Sequence, residues 1–172
     1  MLNITISKVS LLQIDDLQKI SQQTFFEAFS DSNTEEDIKH YLETSFSAQQ
    51  LYSELSHKNS EFFFALHHNT PIGYLKLNYA DAQTELKTEN GIELERIYIL
   101  KDYHGKKAGQ TLLNKAKSIA ITKNASFIWL GVWEHNHKAI QFYMKNGFIE
   151  FDKHIFRLGN DNQTDLMMKL LL

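Results

Sequence analysis

The sequence predicts an α+β fold: a twisted, mixed but mostly antiparallel sheet of about seven strands, with helices on both faces and one parallel βαβ crevice. Three observations carry this reading. Apolar runs of β character occur at the start, middle and end of the chain, three amphipathic segments with labelled caps lie between the first and second of them, and residues 94–132 read strand, turn, helix, strand. Only that last unit must be parallel, because a crossover helix joins its two strands.

Residues Ile4 to Val9 alternate as a first strand, and Ser10 with Gln13 has the S-x-x-Q form of a capping box. Ile14, Leu17, Ile20, Phe25 and Phe29 then keep a helical stripe to about Ser30. Asn33 and Glu36 read as cap and third residue of a second helix, and Ser47 with Gln50 repeats the device for a third, ending near Ser56. From Phe62 the pattern turns β: FFFALHH, a turn NTPIG with the single proline, then YLKLNY. Asp81 to Asn90 is polar and without period, a surface loop with the composition of a mobile one. LERIYIL at 94–100 is a strand, 108–123 a helix, and FIWLGVW at 127–133 a buried strand. A helix from Asn136 to Asn146 stops at Gly147; FIEFDKHIFRL and TDLMMKLLL, separated by GNDNQ, form a last hairpin.

At 172 residues the chain is expected to form a single domain, residues 1–172, and 42% hydrophobic content supports a sizeable core. No run approaches a membrane span. The opening MLNITISKVS lacks the basic start and apolar centre of a signal peptide, so the expected place is cytoplasmic, with no membrane partner. Zero cysteines exclude disulfides, thiolate metal sites and a Cys nucleophile. A net charge of −3 argues against nucleic acid as partner and suits a cationic one. His40, His67, His68, His135 and His137 have no metal-ligand spacing, so no metal is expected.

The stretch from Glu93 to Ala116 organises the rest. A helix that opens on a turn bearing Gly105 and Gly109 presents unpaired N–H groups to whatever lies in front of it, a ready place for phosphate oxygens. Lys106 and Lys107 stand at the wrong end of the helix dipole, at about 0.3–1 kcal/mol each, unless an anion binds there. No G-x-x-x-x-G-K-[ST] occurs, which rules out a P-loop, and the absence of G-x-G-x-x-G argues against a dinucleotide fold. Downstream, Asn136 to Phe148 matches N-x-x-A-x-x-F-Y-x-x-x-G-F, and His104 to Gly109 matches Q/R-x-x-G-x-G/A only at Gly109. These two motifs, in this order, resemble the signatures of the GCN5-related N-acetyltransferases. His104 departs from the usual Gln or Arg, and Lys107 stands where a glycine is usual; we take residue 107 as already helical, so that Lys107 is unstrained. Within that family, most of the chain, from QKISQQTFFEAF through ELERIYI to QTDLMMKLL, resembles the PaiA-type bacterial polyamine N-acetyltransferases.

The resemblance implies acetyl-CoA as co-substrate and direct acetyl transfer in a ternary complex to a small-molecule primary amine, spermidine or spermine. Another amine acceptor (a protein N-terminus, an aminoglycoside) or an acetyl-CoA-sensing regulator stays open, as does the oligomeric state, a homodimer included. It implies that the pantetheine arm runs along the backbone at Ile97, Tyr98 and Ile99, that His104, Gly105, Lys106, Lys107, Ala108, Gly109 and Gln110 cradle the pyrophosphate, and that Asn136, Lys138, Phe142 and Lys145 complete the cofactor site. Asn136 also reads as a helix N-cap, and Lys145 as a solvated lysine. Tyr143 is the expected acid for the departing thiolate, a transfer uphill by about 1.5 pKa units, or ~2 kcal/mol, from reference values.

An ammonium of pKa ~10.4 must lose a proton before it attacks. Glu95 is the candidate base, on the expectation that an apolar strand raises its pKa; the alternative is a structural carboxylate paired with a lysine or arginine. For the polycation, residues 27–43 hold six carboxylates against Lys39 alone and residues 81–95 hold five against Lys87 alone. Glu27, Asp81 and Glu93, with the aromatic Trp133, are the named acceptor-binding candidates.

Overall fold

The computed structural model describes residues 2–158 and 161–172. Seven strands, β1 (Thr5–Lys8), β2 (Ser60–His67), β3 (Thr70–Tyr79), β4 (Gly91–Ile99), β5 (Phe127–Trp133), β6 (Ile149–Leu158) and β7 (Asp161–Leu171), form one sheet in the order β1-β2-β3-β4-β5-β7-β6. Five helices accompany them: α1 (Ile14–Phe29), α2 (Glu35–Ser45), α3 (Ala48–Ser56), α4 (Ala108–Thr122) and α5 (His137–Lys145). Every neighbouring pair is antiparallel except β4 with β5, the pair joined through α4.

The alternation along the strands sorts two cores onto the two faces. Leu112, Leu113 and Ala116 of α4 and Tyr143 of α5 pack with Leu75, Ile92, Leu94, Ile128 and Leu130 on one face. Leu17, Ile20 and Phe25 of α1, with Ile38, Phe46 and Leu51, pack on Phe62, Phe64 and Tyr74 on the other. A fully buried leucine such as Leu17 or Leu112 contributes about 1.5–3 kcal/mol through burial of apolar surface.

Local chemistry explains where the elements begin and where they depart from expectation. Gln13 Oε1 accepts from the Ser10 N–H at 3.0 Å, and Ser47 Oγ accepts from the Gln50 N–H at 3.1 Å, as the cap spacing predicts. The second helix starts one residue later than expected: Thr34, not Asn33, is its cap, with Oγ1 accepting from the Asp37 N–H at 3.1 Å. Asn33 is drawn off to donate to Phe29 O and to accept from Gln163 Nε2 of β7. The first hairpin turns on His68 and Asn69, both at positive φ, so Thr70 to Gly73 belong to β3 rather than to a turn; a two-residue turn of this hand matches the twist of its strands. Pro71 is tolerated in the strand where the β2–β3 register slips between Ala65 and Leu66. In the last turn, residues 159 and 160 lie outside the described residues, and residues 161–163 are already strand.

Segment 81–90 is more than a surface loop. After a short 3-10 turn at Ala80–Ala82, Gln83 is buried with its Oε1 accepting from Trp129 Nε1 at 2.7 Å, and Thr84 donates to Glu93 through both its N–H and its hydroxyl. The segment is tied down across β4 and β5. Among the described residues no helix is long and apolar enough to cross a membrane.

Candidate active site

The sheet opens at its one parallel pair. β4 and β5 are paired at Gly91–Phe127, Ile92–Ile128 and Glu93–Trp129 and no further, so β4 from Leu94 onward and β5 from Leu130 onward diverge. The cause lies on the other edge of β4. Lys76 of β3 is opposite Arg96 and Leu77 is opposite Leu94, so Glu95 is an extra residue, a bulge that bends β4 away.

A buried ionic network holds this bulge. Glu95 meets Lys76 Nζ at 2.6 Å and Arg96 at 3.2 Å, and Glu54 of α3 takes Arg96 at 2.7 and 3.1 Å and Lys76 at 2.9 Å. Burial alone pushes the Glu95 carboxyl up, but Arg96 and Lys76 outweigh it and hold it at about 2. The raised pKa expected of Glu95 is therefore overturned: the two cations beside it were hidden in the sequence, Lys76 on the neighbouring strand and Arg96 folded onto the same side by the bulge. With it goes the raised pKa on which the expectation of Glu95 as a base rested, and its pairing with Lys76 and Arg96 is the arrangement that the alternative reading describes. Its neighbour Glu93 has the raised pKa instead, through burial and then the charge of Glu95.

At the far end of β4 a 3-10 turn, Lys101–Tyr103, leads to Gly105 (φ 74) and to Lys107, which caps α4 at φ 67, ψ 6. Lys107 is thus left-handed, not helical as expected, and carries strain that a glycine would not. The N–H groups of Ala108, Gly109 and Gln110 precede the first intrahelical bond, Thr111 N–H to Lys107 O at 3.0 Å. A Cβ at Gly109 would meet Phe142 Cζ of α5 at 3.9 Å, so α4 and α5 flank the opening closely. Gln110 and Asn146 exchange amide hydrogen bonds at 2.8 and 3.2 Å, which ties the two helices together. Exposed glycine, an αL cap and free amides at a helix start fit a pyrophosphate. His104 bonds the carbonyl of Ile99 at 2.8 Å and Lys106 lies over Tyr103.

Ile97 and Ile99 pack on the α4 side beside the split, whereas Tyr98 points the other way, onto Phe29 and Tyr74, and presents only backbone to the opening. On α5, Asn136 is the N-cap, its Oδ1 accepting from the Ala139 N–H at 3.2 Å. Tyr143 is buried, and burial alone raises its pKa above the ordinary value, so it stays protonated at any working pH. Lys138 and Lys145 are exposed.

The acidic candidates do not converge. Asp81 is exposed, accepts from Asn59 at 2.6 Å and sits before the start of β4; Glu27 accepts from the Lys101 N–H at 2.7 Å, past its end. Nine strand residues lie between them, about 30 Å. Glu93 is buried, and its lone pairs are taken by Asn78 and Thr84. Trp133 is half-buried at the end of β5, opposite Asp165 of β7. Sequence reasoning missed Asp165 and His154, which are brought next to Gly131 by strand pairing alone, and it missed a cavity of about 340 Å³ lined by Asp31, Ser32, Asn33, Thr34 and Asp37. Among the described residues no cluster is suited to a metal.

A sheet split at a parallel pair, with an anion-ready helix start at its mouth and a protonated tyrosine against it, defines an acyl-CoA-dependent transferase. The model of the acetyltransferase (GNAT) family matches residues 14–148, and the chain belongs to that family; it is an acetyl-CoA-dependent N-acetyltransferase. It is 37% identical, over 100% of its length and 99% of the relative's, to an uncharacterised N-acetyltransferase from the pepI 3′ region of Lactobacillus delbrueckii subsp. lactis. It is 28% identical over 86% of its length, and 89% of the relative's, to a spermidine N(1)-acetyltransferase of Thermoplasma acidophilum. Its fold superposes with a TM-score of 0.82, at 26% identity and 99% coverage of both chains, on the PaiA N-acetyltransferase of Thermoplasma acidophilum in complex with coenzyme A.

Proposed function

We propose that this enzyme acetylates a primary amine of a polyamine, spermidine or spermine, by direct attack in a ternary complex. The observation that carries the reading is the acid-lined side of the sheet that faces the split: Asp165 and Glu85 near β5, and the cavity bearing Asp31 and Asp37, linked to β7 through the Asn33–Gln163 bond. Likeness to a spermidine acetyltransferase supports it. Several carboxylates on one side of the sheet suit a flexible polycation better than a single-charge amine.

When bound, acetyl-CoA supplies a thioester whose carbonyl the amine attacks. The amides of Ala108, Gly109 and Gln110, with Gly105, Lys106, Lys107 and His104, hold the pyrophosphate, and the unpaired edge of β4 at Ile97 and Ile99 takes the pantetheine. Asn136 and Phe142 line that arm from α5, with Lys138 and Lys145 as outer charges. Tyr143 holds the proton that the departing sulfur requires. Its raised pKa makes it a weaker acid than free tyrosine, and desolvation acts in the same direction on a thiolate forming beside it. Trp133 walls the acceptor side. Glu27 and Asp81 lie too far apart to hold one amine together and act only as outlying charge.

The test is a panel of spermidine, spermine, a monoamine, an N-terminal peptide and an aminoglycoside with acetyl-CoA, read by free thiol and product mass. Polyamine turnover at least tenfold above the others is expected. Preference for the peptide or the aminoglycoside would replace the polyamine reading.

A further inference from the structure

With Glu95 locked in ion pairs and Glu93 buried in hydrogen bonds from Asn78 of β3 and Thr84, neither carboxylate of β4 is free to take a proton from an incoming ammonium. Strand pairing supplies another carboxylate. Cross-strand partners share a face of a sheet, so Glu93, Trp129 and Lys169 form one row, Gly131, Met167 and Asp152 the next, and Trp133, Asp165 and His154 a third. Gly131 is exposed although β5 is a central strand, which leaves an open seat in the sheet beside the β4–β5 split. A Cβ there would stand 3.3 Å from His154 Cε1 and 3.4 Å from Asp165 Oδ2, so both groups border the seat. His154 Nδ1 is buried with no hydrogen-bond partner among the described residues, and its Nε2 lies 3.9 Å from Glu85 Oε1 at the outer edge. Asp165 is half-buried, which raises its pKa, with His154 as the opposing charge.

We propose that Gly131, Asp165 and His154 border the seat of the reacting amine, with Asp165 as its proton acceptor. This rests on the amine-acetylating reading above. The ammonium gives one proton to Asp165 Oδ; the freed lone pair forms the N–C bond as the C–S bond breaks. The sulfur leaves with its electron pair and takes the Tyr143 proton, and the second surplus proton on nitrogen restores Tyr143. One proton leaves on Asp165 and passes from it to solvent, as the net reaction requires. Across from Asp165 stands His154 of β6, with Glu85 of the 81–90 segment beside it; Asp152 on β6, Lys169 on β7 and Glu93 on β4 are the further charged groups on that face of the sheet.

The experiment is kcat/KM for spermidine between pH 6.5 and 10 in the wild type and in Asp165→Asn. The wild type uses the abundant ammonium and should give a broad plateau, whereas Asp165→Asn should fall about hundredfold at pH 7 and climb about tenfold per pH unit, because only free amine remains reactive. Acetyl-CoA affinity and melting temperature should be unchanged. Gly131→Ala, which fills the seat against His154 and Asp165 while keeping both titrating groups, should raise the spermidine KM at least tenfold and leave the acetyl-CoA KM alone. Spermidine added without acetyl-CoA should shift the His154 Cε1–H resonance in the wild type and not in Gly131→Ala. A profile for Asp165→Asn parallel to the wild type, or an unmoved resonance, overturns the proposal while leaving the acetyltransferase reading intact. A wild type that acetylates no amine at all sinks both.

Discussion

Replacing Lys107 by glycine should make the free protein more stable and its hold on acetyl-CoA weaker. Lys107 sits at φ 67 at the start of α4. An L-residue there is strained by about 1–2 kcal/mol, and a cation at a helix N-terminus adds about 0.3–1 kcal/mol of unfavourable dipole interaction. Glycine removes both and gives back about 0.5–1 kcal/mol through the greater freedom of the unfolded chain. The net is ~1 kcal/mol, a rise of about 2–4 °C in Tm for a chain of this size. With ligand the sign reverses, since the ammonium that opposes the dipole attracts the pyrophosphate; losing roughly 1 kcal/mol of charge interaction weakens binding about fivefold. Differential scanning fluorimetry with and without acetyl-CoA, together with calorimetric titration, reads both effects. Lys107→Ala separates them, because alanine drops the charge but keeps the strain: it should bind as weakly as the glycine variant and melt below it. A glycine variant that melts below the wild type without ligand, or an alanine variant that matches it, would refute the reasoning.

Tyr143→Phe should lower kcat at least tenfold in a thiol-release assay and leave acetyl-CoA affinity within twofold, because the ring still packs and only the proton is lost. Glu95→Gln should destabilise the fold by about 3–5 kcal/mol in urea titration, since it leaves Lys76 and Arg96 in the dry interior with one carboxylate fewer. The native pKa of Glu95, about 2, lies below the ordinary glutamate value of 4.5, so its stabilisation is complete above about pH 5 and fades as pH falls toward 2; the acid limb of the stability curve should flatten in the glutamine variant. The kcat/KM preference for spermidine over a monoamine should shrink as salt rises from about 0.1 to 1 M, where the Debye length falls from about 10 to about 3 Å; a constant ratio near one would remove the polyamine reading.

Local signals carried most of the fold. The helices with Ser47 and Asn136 as caps, the buried run 127–133 and the stop at Gly147 were legible because each depends on residues within one turn of it. Thr34 displaced Asn33 as cap because Asn33 is claimed by Gln163, on a strand far along the chain, which no local pattern records. The same holds for the site. The turn at 104–110 and Tyr143 belong to contiguous motifs and were read directly. The environment of Glu95 depends on one inserted residue in β4 and on Glu54 from α3, and the conjunction of Gly131, Asp165 and His154 exists only once β5, β7 and β6 lie side by side. The handedness at Lys107 was misread because a lysine gives no sign of positive φ.

The three-position joint between β4 and β5 has a mechanical consequence. Along the sheet, the half built on β1–β4 and the half built on β5–β7 share little backbone pairing, so a ligand that bonds to both exposed edges acts as a missing rung. Amide hydrogen exchange should show it: the edge-facing N–H groups of 94–99 and 130–133 should exchange quickly in the free protein and slow together when coenzyme A bridges the gap. On the cofactor placement proposed above, release of coenzyme A would undo that rung of the sheet.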